Sequence, residues 1–257
     1  MINAKKIAVA FIKQLDLGSA IAVRLTKITG KSKIPIHPKH LLTETPWFTS
    51  YLEKKDVVLD LGCGNGQNSV KAARFAKKVT GVDFDGKLLE IAKESSKNLN
   101  IKNIFFQKAN LEKKLPFKNE MFDKIIFLDV LEHLYKRDQI LVEVYGLLKK
   151  NGLLLLAVPN SETSWKKFQR SAGVCSFSDP DHKIEFTKKS IYDLLAKNHF
   201  KIIDFGYSRY DIPLRGIIDI LGSLSMSFYK MVSAWRARKV KTKPNEASGF
   251  EIIAKKT

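Results

Sequence analysis

Three glycines in five positions follow an acid in the run VVLDLGCGNGQNSV, residues 57–70. Gly62, Gly64 and Gly66 bare the backbone where an apolar strand should end and a helix begin, so a ligand can approach the main chain and meet a helix N-terminus. Glycine in a turn is weak evidence by itself, and the neighbouring acids sharpen it. Asp60 stands two residues before Gly62. A pyrophosphate there would meet an unwelcome negative charge, whereas an ammonium or a sulfonium would be attracted. Asp83 lies twenty-one residues beyond Gly62, at the end of the next strand-like run VTGVDFD. A carboxylate at that place can accept hydrogen bonds from two ribose hydroxyls. The pair points to a nucleoside with a positively charged tail rather than to a dinucleotide.

The elements that must position these residues alternate. Apolar runs predict strands at Val57–Leu61, Lys78–Val82, Ile104–Lys108, Lys124–Val130, Leu153–Val158, Lys201–Phe205 and Gly249–Ala254, with helices near 67–76, 86–97, 136–149 and 188–198. Continuous apolar strands separated by helices imply a Rossmann-like, mostly parallel seven-stranded sheet covered on both faces. The last strand lacks an ordinary crossover helix before it, which suits an antiparallel insertion. Residues 49–257 form this domain and residues 1–48 an N-terminal helical cap, with helical spacing over 2–29 carried by Ile7, Phe11, Leu15, Ile21, Leu25 and Ile28. Two excursions break the rhythm: a lid loop at 161–187 and an insert at 211–243. Long excursions in a compact α/β domain usually cover the site.

The insert spaces Leu214, Ile217, Ile218, Leu221, Leu224, Phe228, Met231, Val232 and Trp235 at three- and four-residue steps, and Arg236, Arg238, Lys239, Lys241 and Lys243 follow. Asp211 is placed to cap its start, with Pro213 in the first turn. One helix of about 22 residues is expected, either packed on its own domain or lying at a membrane surface over a greasy acceptor. The net charge of +19 agrees with the second reading, because residues 1–40 (+7) and 230–257 (+6) carry nearly 70% of it. Such flanks suit anionic lipid, RNA or an acidic substrate, and also plain solubility. Cys63 and Cys175 are too few for a disulfide framework, and no apolar run approaches the ~18 residues of a bilayer span. A cytoplasmic protein, peripheral at the inner membrane surface, is expected.

The glycine run resembles motif I of the class I S-adenosylmethionine-dependent methyltransferases, D/E-x-G-x-G-x-G, met by Asp60, Gly62, Gly64 and Gly66. VTGVDFDGKLLEIAK is similar to the second motif, and KANLEKKLPFKNEMFDKIIFLDVLEHL to the third and fourth. LLKKNGLLLLAVPN resembles the helix–turn–strand that follows, and HKIEFTKKSIYDLLAKNHFKIIDFGYS the region before strand six in small-molecule and lipid-precursor members. The resemblance covers roughly 35–210 and 248–257. It implies S-adenosylmethionine as cofactor, held by Asp60, Gly62, Cys63, Gly64, Gly66, Asp83, Phe84, Asn110, Leu111 and Asp129. Asn110 departs from the Asp often found there, but its carbonyl can accept the same adenine amino hydrogen.

As catalytic groups the resemblance and the loops offer Asp129, His133 and His182. Each has a bland alternative: Asp129 capping the next helix, His133 packing beside Glu132, His182 solvated in the lid. Cys63 is ordinary in this loop and is not expected to be a nucleophile. No acid set fits a magnesium-dependent catechol site, so no metal is expected, and neither N/D-P-P-Y nor a double-glutamate arrangement is present. Methyl transfer from a sulfonium is an in-line displacement that asks chiefly for alignment and desolvation. A base is needed only where the acceptor must lose a proton. The expected activity is methylation of a hydrophobic small-molecule or lipid-linked acceptor, at oxygen. RNA methylation is the second reading and a non-catalytic cofactor-binding protein the third.

Overall fold

The computed structural model describes residues 4–16, 18–33, 35–42 and 45–256. Two compact units are formed. One comprises Thr45–Pro159, Lys183–Gly206 and Phe250–Thr257, and the other Met1–Glu44, Asn160–His182 and Tyr207–Gly249.

The first unit is built on seven strands: β1 (Val57–Leu61), β2 (Lys78–Asp83), β3 (Ile104–Lys108), β4 (Phe122–Leu128), β5 (Leu148–Pro159), β6 (Phe200–Tyr207) and β7 (Gly249–Lys256). Their order is β3-β2-β1-β4-β5-β7-β6, six parallel and the last antiparallel, as the strand pattern implied. The order of the strands reverses between β1 and β4, which pair in parallel. That is the switch point where open α/β sheets bind ligands, beyond the carboxyl ends of the strands. The register sets Asp60 beside Gly81 of β2 and Ile126 of β4, so the first acid stands in the middle of the sheet.

Four helices belong to this unit: α3 (Gln67–Ala73), α4 (Gly86–Asn98), α5 (Arg137–Leu147) and α7 (Lys188–Lys197). Local signals fix their ends. Asp85 caps α4 by accepting from the amides of Lys87 and Leu88, and Thr187 and Ser190 form a reciprocal capping box on α7. Asn100 and His199 take the left-handed conformation just past α4 and α7, where a helix end asks for it. Phe48, Val58, Val79, Ile126, Leu155 and Ile253 meet in the core.

The second unit is helical: α1 (Ala4–Asp16), α2 (Ser19–Ile28), α6 (Ser164–Ser171), α8 (Arg215–Leu224) and α9 (Met226–Thr242). Three expectations are corrected here. The segment 161–187 is not a bare loop, because Thr163 accepts from the Lys166 amide at 3.3 Å and starts α6. The insert is two helices rather than one, since Ser225 leaves helical geometry (φ −134°, ψ 103°) and caps α9. Asp211 does not cap α8. Its carboxylate accepts from the Thr163 hydroxyl at 2.7 Å, and Leu214 stands at the helix start in the left-handed region.

The polarity of α8 is also the reverse of an ordinary packed helix. Its buried face is Gly216, Asp219, Gly222 and Ser223, while Leu221 and Leu224 are exposed. Small residues let α2 approach closely. Ser223 donates to the Ala22 carbonyl and Ser19 to Asp219, both at 2.9 Å. The Tyr229 ring of α9 lies over Gly222, where a Cβ would sit 2.2 Å from it. Asp219 thus gathers Ser19, His37 and Tyr229. Burial pushes its carboxyl up, but His37, Ser19 and Arg215 outweigh this and hold it below its usual range. Of the apolar positions named for the N-terminal helices, Ile7, Phe11, Ile21 and Ile28 are exposed. The side chain of Leu15 lies outside the described residues.

Candidate cofactor and active site

The residues singled out in the sheet unit fall at the carboxyl ends of successive strands. Asp60 is the fourth residue of β1, Asp83 ends β2, Asn110 follows β3 and Asp129 follows β4. The loop after β1 is held at several points. The amide of Cys63 donates to the Val82 carbonyl and that of Gly66 to the Cys63 carbonyl, both at 2.9 Å. Gly62 has φ +68°, and a Cβ there would lie 2.5 Å from Val130 Cγ2. Gly66 has φ +78°, and its Cβ would strike Ala92 and the Phe106 ring. At Gly64, by contrast, nothing stands within 4 Å of a Cβ position. The loop is therefore jammed against the sheet at two glycines and open at the one between them.

Asp60 is buried. Its carboxylate accepts from the Ser69 hydroxyl at 2.5 Å, which ties α3 back to β1. Burial raises its pKa to about 7, the Ser69 bond opposes the rise and the charge of Asp83 adds to it. An uncompensated carboxylate in the middle of a sheet is stabilised by a nearby cation, and a ligand ammonium supplies one. Asp83 has both oxygens engaged, one by the Gly64 amide at 2.8 Å and the other by the Asp85 amide at 2.9 Å. Each carboxylate oxygen keeps a lone pair, so acceptor capacity for a diol remains. Phe84, next in the chain, is 72% exposed, an uncovered ring beside a polar rim. Burial, and then Asp60 and Asp83, push the Cys63 thiol up, which disfavours the thiolate that a nucleophile needs.

The Asn110 carbonyl oxygen accepts from the Glu112 amide at 2.9 Å, an Asx turn that shapes the loop after β3. Leu111 is buried beside it. Asp129 is exposed and takes φ +57°, its amide donating to the Ala157 carbonyl at 3.0 Å. A non-glycine residue in that region is strained by roughly 1–3 kcal/mol, and such strain clusters at functional sites. His133 closes a single 3-10 turn, Leu131–His133, its amide donating to the Val130 carbonyl. His182 falls in the helical unit, where its amide donates to the Asp179 carbonyl and its ring lies 6.4 Å from Phe177. Ser69, Val130 and Phe106 were not singled out in the sequence. Ser69 carried a readable signal, since three residues beyond Gly66 it faces back from the first turn of α3.

Residues 52–201, more than half of the chain, match the family model described as a methyltransferase domain. The chain belongs to the class I S-adenosylmethionine-dependent methyltransferases. Among curated relatives, a putative methyltransferase (YqeM) of Bacillus subtilis (strain 168) is 28% identical over 149 residues, 57% of this chain and 58% of that protein. A ubiquinone biosynthesis O-methyltransferase of Pelagibacter ubique (strain HTCC1062) is 35% identical over 103 residues, 40% of this chain and 42% of that protein. The chain spans roughly half the length of the first curated relatives it matches. In fold it is similar to the crystal structure of a SAM-dependent methyltransferase from Methanosarcina mazei, with a TM-score of 0.58 at 21% identity over 84% of this chain and 99% of that one.

The family's cofactor is S-adenosylmethionine, and the residues present fit it. The open position at Gly64, the spare acceptor capacity of Asp83, the uncovered Phe84 ring and the cation-seeking Asp60 match in turn a close backbone approach, a ribose, an adenine and a methionine ammonium.

Proposed function

We propose that this methyltransferase transfers methyl groups to an oxygen of a hydrophobic small-molecule or lipid-linked acceptor, met at an anionic membrane surface. Bound S-adenosylmethionine supplies an electrophilic methyl carbon on a sulfonium. In this reading Asp83 holds the ribose hydroxyls, the Asn110 carbonyl the adenine amino group, Phe84 the adenine face, and Asp60 and Asp129 the ammonium end. His133 takes the acceptor's proton where one must leave. These residues align two reactants and exclude water, and alignment can supply roughly 7–11 kcal/mol of a displacement barrier.

One observation carries the acceptor class. The helical unit exposes its apolar side chains, with Phe11 at 65% and Met231 at 61%, alongside Ile7, Ile21, Ile28, Leu214, Leu221, Leu224 and Trp235. In α8 the buried face is instead small and polar. The same unit carries cations, with Lys230, Arg238, Lys241 and Lys243 all exposed. Arg236, grouped with them in the sequence, is buried and donates through Nε to the Tyr210 carbonyl at 2.7 Å, so it is not a surface charge. Exposed apolar side chains and exposed cations on the same helical unit suit the headgroup region of an anionic leaflet, each cation near the surface contributing about 1 kcal/mol. Among the described residues no helix is long and apolar enough to cross a membrane, which leaves lying flat. Relatives named ubiquinone biosynthesis O-methyltransferase support the choice of oxygen as the acceptor atom.

The test is co-sedimentation with phosphatidylglycerol vesicles at low and high salt. The parent should bind and be released by salt, and a variant with Arg238, Lys241 and Lys243 changed to Gln should bind weakly at both. Salt-sensitive binding to structured RNA, with none to vesicles, would replace this reading by RNA methylation.

A further inference from the structure

Asp60 and Asp83 stand near the carboxyl ends of neighbouring strands but are held in different ways. Asp83 takes backbone amides on both oxygens, from Gly64 and Asp85. Asp60 depends on one side chain. Its Oδ2 accepts from the Ser69 hydroxyl at 2.5 Å, and among the described residues no donor reaches its Oδ1. Nor is Oδ1 among the unpartnered polar atoms sealed inside the described residues, so a ligand can reach it. A buried carboxylate with one oxygen paired and the other open asks for a donor from outside.

Ser69 is placed to do more than tie a helix to a strand. It is fully buried in the first turn of α3, whose cap is Gly66 in the left-handed region. The sheet neighbours of Asp60, Gly81 and Ile126, carry no charge. The titratable side chains that act with it are Asp83 and the Cys63 thiol, neither of them a cation. Burial and Asp83 both work against the charged form of Asp60, and among the described residues the Ser69 hydroxyl is the group that favours it. Alanine there would leave both oxygens without a donor and the carboxylate free to turn about a broad torsion.

We propose that Ser69 is a positioning residue for cofactor binding: it pins Oδ2 of Asp60, so that Oδ1 is held for the ammonium of S-adenosylmethionine in the charged form an ammonium needs. The inference rests on the reading that Asp60 takes the ammonium end, and it adds which oxygen does so and what fixes it.

Calorimetry with two thioethers tests it. S-adenosylhomocysteine carries the ammonium, and methylthioadenosine shares its adenosyl thioether but lacks the amino-acid tail. A hydrogen bond to a charged group favours that charge, so without it a proton competes with the ammonium at higher pH. In Ser69→Ala the pH below which S-adenosylhomocysteine affinity falls should therefore move up by about one unit. At pH 6 this variant should bind S-adenosylhomocysteine about tenfold more weakly than the parent does, and methylthioadenosine equally well. Equal losses for the two ligands, or an unmoved pH profile, would leave Ser69 as a brace between α3 and β1 and overturn the proposal. Asp60→Asn separates this inference from the reading beneath it. That variant should also discriminate between the ligands, and if it does not, the placing of the ammonium at Asp60 fails. Discrimination by Asp60→Asn but not by Ser69→Ala fails the Ser69 proposal alone.

Discussion

Asp60 should make cofactor affinity depend on pH. In the free protein burial lifts its carboxyl from 3.8 to about 7, so near neutrality a proton is often present, and a ligand ammonium must displace it. If the bound state returns the carboxyl to its ordinary range, affinity falls tenfold for each pH unit below about 7. Between pH 7.5 and pH 5.5 the loss is about 25-fold, or roughly 2 kcal/mol. The ligand's own amino group titrates near ~7.7–8.0 and stays protonated over most of that window. Calorimetry of S-adenosylmethionine binding across the window, with parent and Asp60→Asn, isolates the effect. Asp60→Asn should bind more weakly at pH 7.5 and with little dependence on pH. A flat profile for the parent, or the same slope in both proteins, would refute the reasoning.

The same shift sets a stability trend of opposite sign. A carboxyl whose folded pKa is raised contributes stability that is fully present below the unfolded value and is lost as pH rises through the folded value. The free protein should therefore lose about 4 kcal/mol from this group between about pH 4 and pH 7. Asp60→Asn should be the more stable protein at pH 8 without cofactor, even though it binds cofactor less well. A stability gain paired with a binding loss separates a site held charged for its ligand from a merely structural acid.

Asn110 already anchors the turn through the Glu112 amide, so Asn110→Asp should keep both the turn and cofactor affinity, while Asn110→Leu should lose affinity in calorimetry by about 1–3 kcal/mol. Gly62→Ala should destabilise by at least ~2 kcal/mol in urea, from a left-handed φ and the 2.5 Å approach to Val130; adding Val130→Ala should recover the steric part and leave the backbone part. Asp219→Ala should cost ~3–5 kcal/mol in the same assay, because Ser19, His37 and Tyr229 all lose their acceptor in a buried setting; an unchanged urea midpoint would remove Asp219 from the centre of the helical unit.

How much of this was legible in the sequence follows from where the determinants lie. The sheet could be read because its strands are buried on both faces and so are continuously apolar, and because Gly62, Gly64 and Gly66 are local requirements of one turn. The partners of that turn were less legible. Val130 and Phe106 meet the glycines through strand pairing at long sequence separation, which no spacing reports. The helical unit was legible only in part. A three-four periodicity marks one face of a helix but not which face is inside, so both placements of the apolar stripe stayed open. In α8 the inside is Gly216, Asp219, Gly222 and Ser223, and the apolar residues face out. Gly222 and Ser225 were the available clues. The first leaves space that the Tyr229 ring fills, and the second offers a cap to a new helix. Together they turn one expected 22-residue amphipathic rod into two shorter helices. On the membrane reading proposed above, the small and polar contacts that close α8 matter because they leave Leu221 and Leu224 exposed for a lipid to meet.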